Sequence, residues 1–318
     1  MNIIKIEDYF SPALDVYARL TGAQLKNRLD PESSVFIAES PAVIEVALDS
    51  GYEPVSFLSE ERLIKGNELR VLKKIEEYID RTGRDVPIYT AEREILKQIT
   101  GFELTRGALC AMKRKSEPPL DSILKGASKI AVLEGVCDST NVGALFRSAA
   151  ALGMDAVLLS PTSADPYSRR SVRVSMGTIF QMAWGYVTHS QKIWENEGIS
   201  ILQSYGFKCA AMALTDNSVD IDDRELNSEE KIALVLGTEG TGLAESTIRA
   251  CDYTVKIPMY HGVDSLNVGA AGAIAFWQIK RVGRLDKILL ALLLCINLFV
   301  LRLNFSKILL FYWFFVLS

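Results

Sequence analysis

Apolar and polar positions alternate along the first hundred residues in a pattern that switches repeatedly between strand and helix periods. The run 35–38, Val-Phe-Ile-Ala, reads as a short strand. Ser40-Pro41 follows it as a helix start, with proline at the first helical position, and Val43, Ile44, Val46, Ala47 and Leu48 supply an apolar face up to Gly51. Residues 54–58 form the next strand candidate, 69–79 a charged helix, 87–89 a strand, 92–99 a helix and 108–112 a strand. This alternation predicts a small α/β layer domain over 1–118.

The stretch KRKSEPPLD, 113–121, is charged and rich in proline, which predicts an exposed linker and a domain boundary. Beyond it the alternation restarts. Strands are expected at 129–134, 156–159, 182–187, 209–213 and 232–236, and helices at 142–152, 168–177, 193–205 and 269–281. That order predicts a second, larger α/β domain over 122–284 built on a parallel sheet. From Ile288 to Ser318 the chain is almost wholly apolar. Its two apolar runs, 288–301 and 308–317, are each shorter than the roughly 20 residues that a membrane-spanning helix needs. The extension 285–318 therefore stands apart from the two domains; joined across Arg302 and Lys307, its runs leave open a poor membrane segment, an interfacial anchor or a buried dimer element, with membrane attachment the less favoured reading.

Composition narrows the classes. With 49% hydrophobic residues and a mean hydropathy of +0.15 over 318 residues, the chain has ample material for packed cores and is not a disordered or collagen-like protein. The net charge of −4 excludes a uniformly polybasic nucleic-acid binder, so any such contact must come from a local patch. Five dispersed cysteines form no CxxC pair, and His189 and His261 are the only imidazoles, so the sequence offers no zinc-ligand pattern. The acids in MNIIKIEDYF interrupt any secretory core, and the body reads as cytoplasmic with reduced thiols.

Three segments of the second domain combine glycine with polar side chains just after strand candidates, where parallel sheets place their ligand crevices. In DSTNVGALFRSA, Ser139, Thr140 or Asn141 can cap a helix, and Arg147 lies six positions beyond Asn141, more than one turn along. In LVLGTEGTGL an apolar strand runs into three glycines with Glu239 between them. It lacks GxGxxG and the lysine of a phosphate-binding loop, which disfavours a nucleotide-dependent oxidoreductase. In VKIPMYHGVDSLNVGAA a strand leads through a polar loop to a helix of small residues, where Ser265 and Asn267 are candidates for helix caps.

Taken together and in this order, NxGxxxRSA, LGxExxGL and IPMxGxxxSLNV closely resemble the signature of the SpoU/TrmH class of SPOUT methyltransferases over residues 128–282. The resemblance implies a trefoil-knotted α/β domain that binds S-adenosylmethionine, acts as a homodimer and methylates a ribose 2′-hydroxyl in RNA without a metal. It also implies roles. Arg147 would be the central catalytic residue, supported by Asn141, with Glu239, Ser265 and Asn267 at the other polar positions. Leu214, Gly237, Ile257 and Leu266 would hold the cofactor, largely through the backbone. A guanidinium with a pKa above about 12 is a poor base, so orienting the ribose or neutralising a neighbouring phosphate suits Arg147 better than proton removal.

The stretch FIAESPAVIEVAL is similar to a strand and helix of the ribosomal-protein-L30e-like module that precedes several such catalytic domains, and it favours structured RNA, ribosomal more than transfer RNA. Ser40 departs from the glycine of that turn, and Gly269 from a serine that many relatives carry. Arg169, Arg170 and Arg173 in SRRSVRVSMG are the candidate RNA contacts, with Lys113, Arg114 and Lys115 behind them. A non-catalytic RNA-binding protein that kept the fold is the alternative, disfavoured because all five polar positions are intact.

Overall fold

The computed structural model describes residues 2–280 apart from residues 28, 64, 65, 67 and 101–106. The apolar extension 285–318 lies outside the described residues. Five strands, β1 (Ile3–Ile6), β2 (Val35–Glu39), β3 (Pro54–Glu60), β4 (Ile88–Ala91) and β5 (Ala108–Lys113), form a mixed sheet in the order β1-β4-β3-β5-β2. The strands β1, β4 and β3 are parallel, and β5 runs antiparallel to both neighbours. Both faces are covered, which explains why β2 and β5 are apolar at consecutive positions rather than every second one. Phe36 joins Val43, Ile44, Val71 and Ile75 of two helices on one face, while Ile37 joins Leu14, Tyr17 and Leu96 on the other.

Seven strands make the second sheet: β6 (Lys129–Leu133), β7 (Ala156–Leu159), β8 (Ala183–Tyr186), β9 (Lys208–Met212), β10 (Val219–Asp220), β11 (Ile232–Leu236) and β12 (Tyr253–Lys256). Their order is β10-β12-β9-β11-β6-β7-β8, and every pair is parallel, as the alternation of elements predicts. Helices Ser139–Leu152 and 268–280 cover one face through Leu145, Phe146, Ala275 and Phe276. Helix Gln191–Ser204 covers the other through Trp194, Ile199 and Leu202. The sheet reverses its winding between β6 and β11, so the site belongs at the carboxyl ends of those strands.

A single apolar cluster runs through both sheets. Phe36 stacks on Tyr167 at 5.1 Å, Tyr52 packs against Phe180 at 4.8 Å, and the hydroxyls of Tyr52 and Tyr167 lie 2.9 Å apart.

Residues 114–119 carry no helix or strand and residues 115–119 are exposed, as expected of a linker, but the stretch 113–121 is anchored to the fold at both ends. Lys113 ends β5, helix Leu120–Leu124 begins inside the stretch, and Arg114 donates from Nη1 to Asp165 at 2.6 Å with its side chain nearly buried. Lys115 donates to the Ser50 carbonyl at 2.6 Å. These bonds tie an otherwise exposed connection to the rest of the fold. Other expectations need correction: Ser40 does stand at the start of helix Pro41–Asp49, but at a φ of +87° and with no cap bond from its hydroxyl. The first helix of the second sheet starts three residues early, capped by Asp138 rather than by Ser139, Thr140 or Asn141. Strands β1 and β10 and helices Arg224–Ser228 and Glu245–Ala250 have no counterpart among the expectations, because each is too short to show a period. Among the described residues no helix is long and apolar enough to cross a membrane.

Candidate active site

Helix Ser139–Leu152 sets the site. Asp138 accepts the amide of Thr140 at 2.7 Å, and those bonds from Thr140 hold its carboxyl below the usual carboxylate range. One turn in, Asn141 is buried, and Gly143 lets the helix press on its neighbour, since a Cβ there would stand 2.7 Å from the Ser171 carbonyl oxygen.

Asn267 closes the site from the far end of the sequence. Its Oδ1 accepts the amides of Gly269 at 3.0 Å and Ala270 at 3.3 Å, which caps helix 268–280 as the sequence allows. Capping uses only that oxygen. Its Nδ2 donates to Asn141 Oδ1 at 3.0 Å and also to the Glu239 carboxylate. Three of the five expected polar residues, Asn141, Glu239 and Asn267, are thus one hydrogen-bonded group. Arg147 stands exposed on the same helix as Asn141, roughly 9 Å further along its axis, and Ser265 lies in the exposed loop before Asn267. Among the described residues no hydrogen bond brings these two to the trio.

The loop after β11 carries Glu239. A Cβ on Gly237 would meet the carbonyl carbon of Gly242 at 2.4 Å, so only glycine permits the loop to fold back on itself. Thr238 and Gly242 form a bridge across it, and the hydroxyls of Thr238 and Thr241 lie 3.1 Å apart. What pins this loop was missed in the sequence. Glu134, just past β6, is buried and accepts from Ala244 N at 2.8 Å, Trp194 Nε1 at 3.0 Å and Thr247 Oγ1 at 2.6 Å. Its only sequence signal is a lone acid at the end of an apolar strand.

The cofactor candidates sit side by side. Leu214 follows β9, Gly237 follows β11 and Ile257 follows β12, three adjacent parallel strands. Leu214 and Leu266 expose apolar side chains at this edge. The RNA candidates divide: Arg170 donates to Thr140 Oγ1 at 2.7 Å, whereas Arg169 and Arg173 both face the buried carboxylate of Glu39.

An all-parallel sheet with its polar cluster at the strands' carboxyl ends defines an α/β protein that takes its ligands there. Solved proteins share this fold. An AdoMet-bound rRNA methyltransferase from Sinorhizobium meliloti superposes with a TM-score of 0.71 at 21% identity, over 88% of this chain and 98% of that one. The profile of the SpoU rRNA Methylase family matches residues 128–277. An uncharacterized tRNA/rRNA methyltransferase of Mycobacterium bovis is 34% identical over 89% of this chain and 93% of its own length. A 23S rRNA 2′-O-methyltransferase of Bacillus subtilis, RlmP, is 26% identical over 78% of this chain and 90% of its own. The chain belongs to the SpoU rRNA methylase family, and so to the RNA methyltransferases.

Proposed function

We propose that this chain transfers a methyl group from S-adenosylmethionine to a ribose 2′-hydroxyl in structured RNA, ribosomal more than transfer RNA. The observation that carries the reading is the hydrogen-bonded group of Asn141, Glu239 and Asn267 at the strand ends, inside the span that the family profile matches. The ribose and the ribosomal preference are supported by relatives such as RlmP, whose name specifies a guanosine 2′-O-methylation in 23S rRNA.

The residues present fit the cofactor. Backbone at Gly237 and Ile257 offers amide and carbonyl groups, while Leu214 and Leu266 give apolar edges for a base. When bound, S-adenosylmethionine supplies an activated methyl group, so the protein's part is to hold the hydroxyl in line and keep water out. The fixed amides of Asn141 and Asn267 and the Glu239 carboxylate provide donors and acceptors to orient the ribose. Arg147 orients the ribose or neutralises the adjacent phosphate. Residues 1–118 form the RNA-binding module and 122–284 the methyltransferase domain. Ile274 and Trp277, exposed on helix 268–280, and Tyr260 and Val263 in the preceding loop offer an apolar surface for a second copy.

Mass-spectrometric mapping of 2′-O-methyl nucleosides in ribosomal and transfer RNA from a deletion strain tests the reading. Loss of one ribosomal methylation, restored by the purified protein, supports it. Loss confined to transfer RNA overturns the ribosomal assignment. If no nucleoside disappears and the purified protein binds RNA without transferring methyl, the enzymatic reading fails in favour of a non-catalytic RNA-binding protein.

A further inference from the structure

The short helix Arg169–Val174 lies between β2 of the first sheet and helix Ser139–Leu152, which covers the second. On the side of the first sheet, Glu39 ends β2 and is 6% exposed. It accepts from Arg169 Nε at 3.0 Å and Arg173 Nη1 at 3.4 Å. On the other side the helix grips the first turn of helix Ser139–Leu152. Ser171 Oγ donates to the Ser139 carbonyl at 2.9 Å, Arg170 Nε donates to Thr140 Oγ1 at 2.7 Å, and Gly143 admits the Ser171 backbone at a separation no Cβ would allow. These anchor points, at 139, 140 and 143, bracket Asn141. A shift of the short helix is therefore passed to Asn141 and to its 3.0 Å bond with Asn267.

Six residues of helix have little stability of their own, so this helix stays where its contacts hold it. Ser168 caps its start by accepting the amide of Ser171 at 3.2 Å. Glu39 supplies a carboxylate from the other sheet. An exposed ion pair would contribute little, but a buried carboxylate that faces two guanidinium groups holds its partners firmly, and removing it strands their charge.

We propose that Glu39 is a positioning residue for methyl transfer: through Arg169 and Arg173 it sets helix 169–174, and through that helix the placement of Asn141. The proposal rests on the function proposed above, and it makes the first unit part of the catalytic alignment as well as a handle for RNA. It also changes the reading of Arg169 and Arg173: both guanidinium groups are tied to Glu39, whose single charge offsets one of their two.

The test compares Glu39→Ala, Glu39→Gln, Arg169→Ala and the Glu39→Ala/Arg169→Ala pair, at saturating S-adenosylmethionine, on the RNA identified by nucleoside mapping. Misplacement remote from the reacting atoms predicts a kcat lower by about ten- to a hundredfold in Glu39→Ala, with the RNA KM changed by less than about threefold. Glu39→Gln, which keeps an acceptor, recovers part of the loss, and the double variant is no worse than Glu39→Ala alone. An unchanged kcat with a raised KM overturns the proposal and returns both arginines to the RNA. A fall in activity that merely follows the unfolded fraction in a thermal melt also overturns it. Hydrogen exchange keeps the question separate from the enzymatic reading. If wild-type protein methylates no RNA, faster exchange at amides 140–145 in Glu39→Ala still supports the positioning, and unchanged exchange there refutes it.

Discussion

Asn267 Nδ2 lies 3.0 Å from Asn141 Oδ1, joining two helices whose starts are more than a hundred residues apart. One side chain does two jobs, because Oδ1 of Asn267 caps helix 268–280 while Nδ2 binds Asn141 and Glu239. The two can be separated. Asn267→Asp keeps a capping oxygen but loses the donor and sets a second carboxylate beside Glu239. Its helix cap is retained, so any fall in thermal midpoint reports the repulsion at Asn141 and Glu239 and should ease at low pH, while methyl transfer falls about a hundredfold, the scale on which misplaced groups reduce rates. Asn267→Ala should lose the same activity and, in addition, about 1 kcal/mol of stability with the cap. Paired melts and rate assays check this, and an Asp variant that is fully active would remove the Asn141 contact from the mechanism.

Arg147 projects from the exposed face of its helix, so its removal should leave the fold alone. Arg147→Ala is expected to abolish methyl transfer with a stability change within about 0.5 kcal/mol and S-adenosylmethionine affinity nearly intact. Isothermal titration beside a filter assay with labelled methyl donor measures both. Loss of cofactor affinity in parallel with activity would show that Arg147 serves the cofactor and not the RNA.

The three donors on Glu134 come from a loop, a helix and an indole, and they hold the segment bearing Gly237 and Glu239 against helix Gln191–Ser204. A glutamine can satisfy one side of that set but turns an NH2 toward donors on the other. Leaving a buried donor unpaired costs on the order of 1–3 kcal/mol, so Glu134→Gln should be destabilised by that amount. Cofactor affinity should fall roughly tenfold, equivalent to about 1.4 kcal/mol, as the loop loosens. Urea melts and titration calorimetry provide the two readings, and undiminished affinity in a destabilised variant would confine Glu134 to the core.

Long elements were legible in the sequence because period and punctuation agree in them. Val142, Leu145, Phe146 and Ala149 mark one buried face of their helix, and the consecutive apolar residues of β11 fit a strand covered on both sides. Asn141, Glu239 and Asn267 were legible only as members of an ordered set of motifs, since their meeting depends on three loops that no local pattern places. Glu134 and the partnership of Glu39 with Arg169 and Arg173 were not legible. Each depends on a contact between distant segments, and a charged residue by itself reads as surface. The anchors of 113–121 were equally illegible, because Asp165 and the Ser50 carbonyl, which pair with Arg114 and Lys115, are remote in the sequence.

Glu68 gives the first sheet a pH dependence. Its residue is 1% exposed, Ser59 donates to one carboxylate oxygen, and the other has no hydrogen-bond partner. Burial raises its pKa from 4.5 to about 7, with Ser59 acting in the opposite direction. The folded state therefore binds this proton more tightly than the unfolded chain does. The stabilisation linked to it is fully present below about 4.5 and is lost as pH rises toward about 7. Glu68→Gln, which cannot ionise, should differ little from wild type at low pH and gain on it above neutrality, by on the order of 2 kcal/mol. Melts at pH 5 and pH 8 give the comparison, and equal differences at the two values would contradict the assignment.

Ser40 holds a backbone conformation that suits glycine. Its φ of +87° with ψ of 146° is a region that side-chain-bearing residues rarely adopt, at a cost of about 1–3 kcal/mol. Its Oγ is also buried without a hydrogen-bond partner. Ser40→Gly removes both penalties and adds the larger unfolded-state entropy of glycine, which takes back roughly 0.5–1 kcal/mol. The net expectation is a gain of about 1–2 kcal/mol and a midpoint higher by a few degrees. Ser40→Ala separates the causes, because it deletes the orphaned hydroxyl but keeps the Cβ in the same conformation. The alanine variant should recover only the part due to the hydroxyl. Equal gains in the two variants would assign the whole effect to the unpaired oxygen and none to the backbone, whereas a gain confined to glycine identifies the turn itself as the strained element beside Glu39.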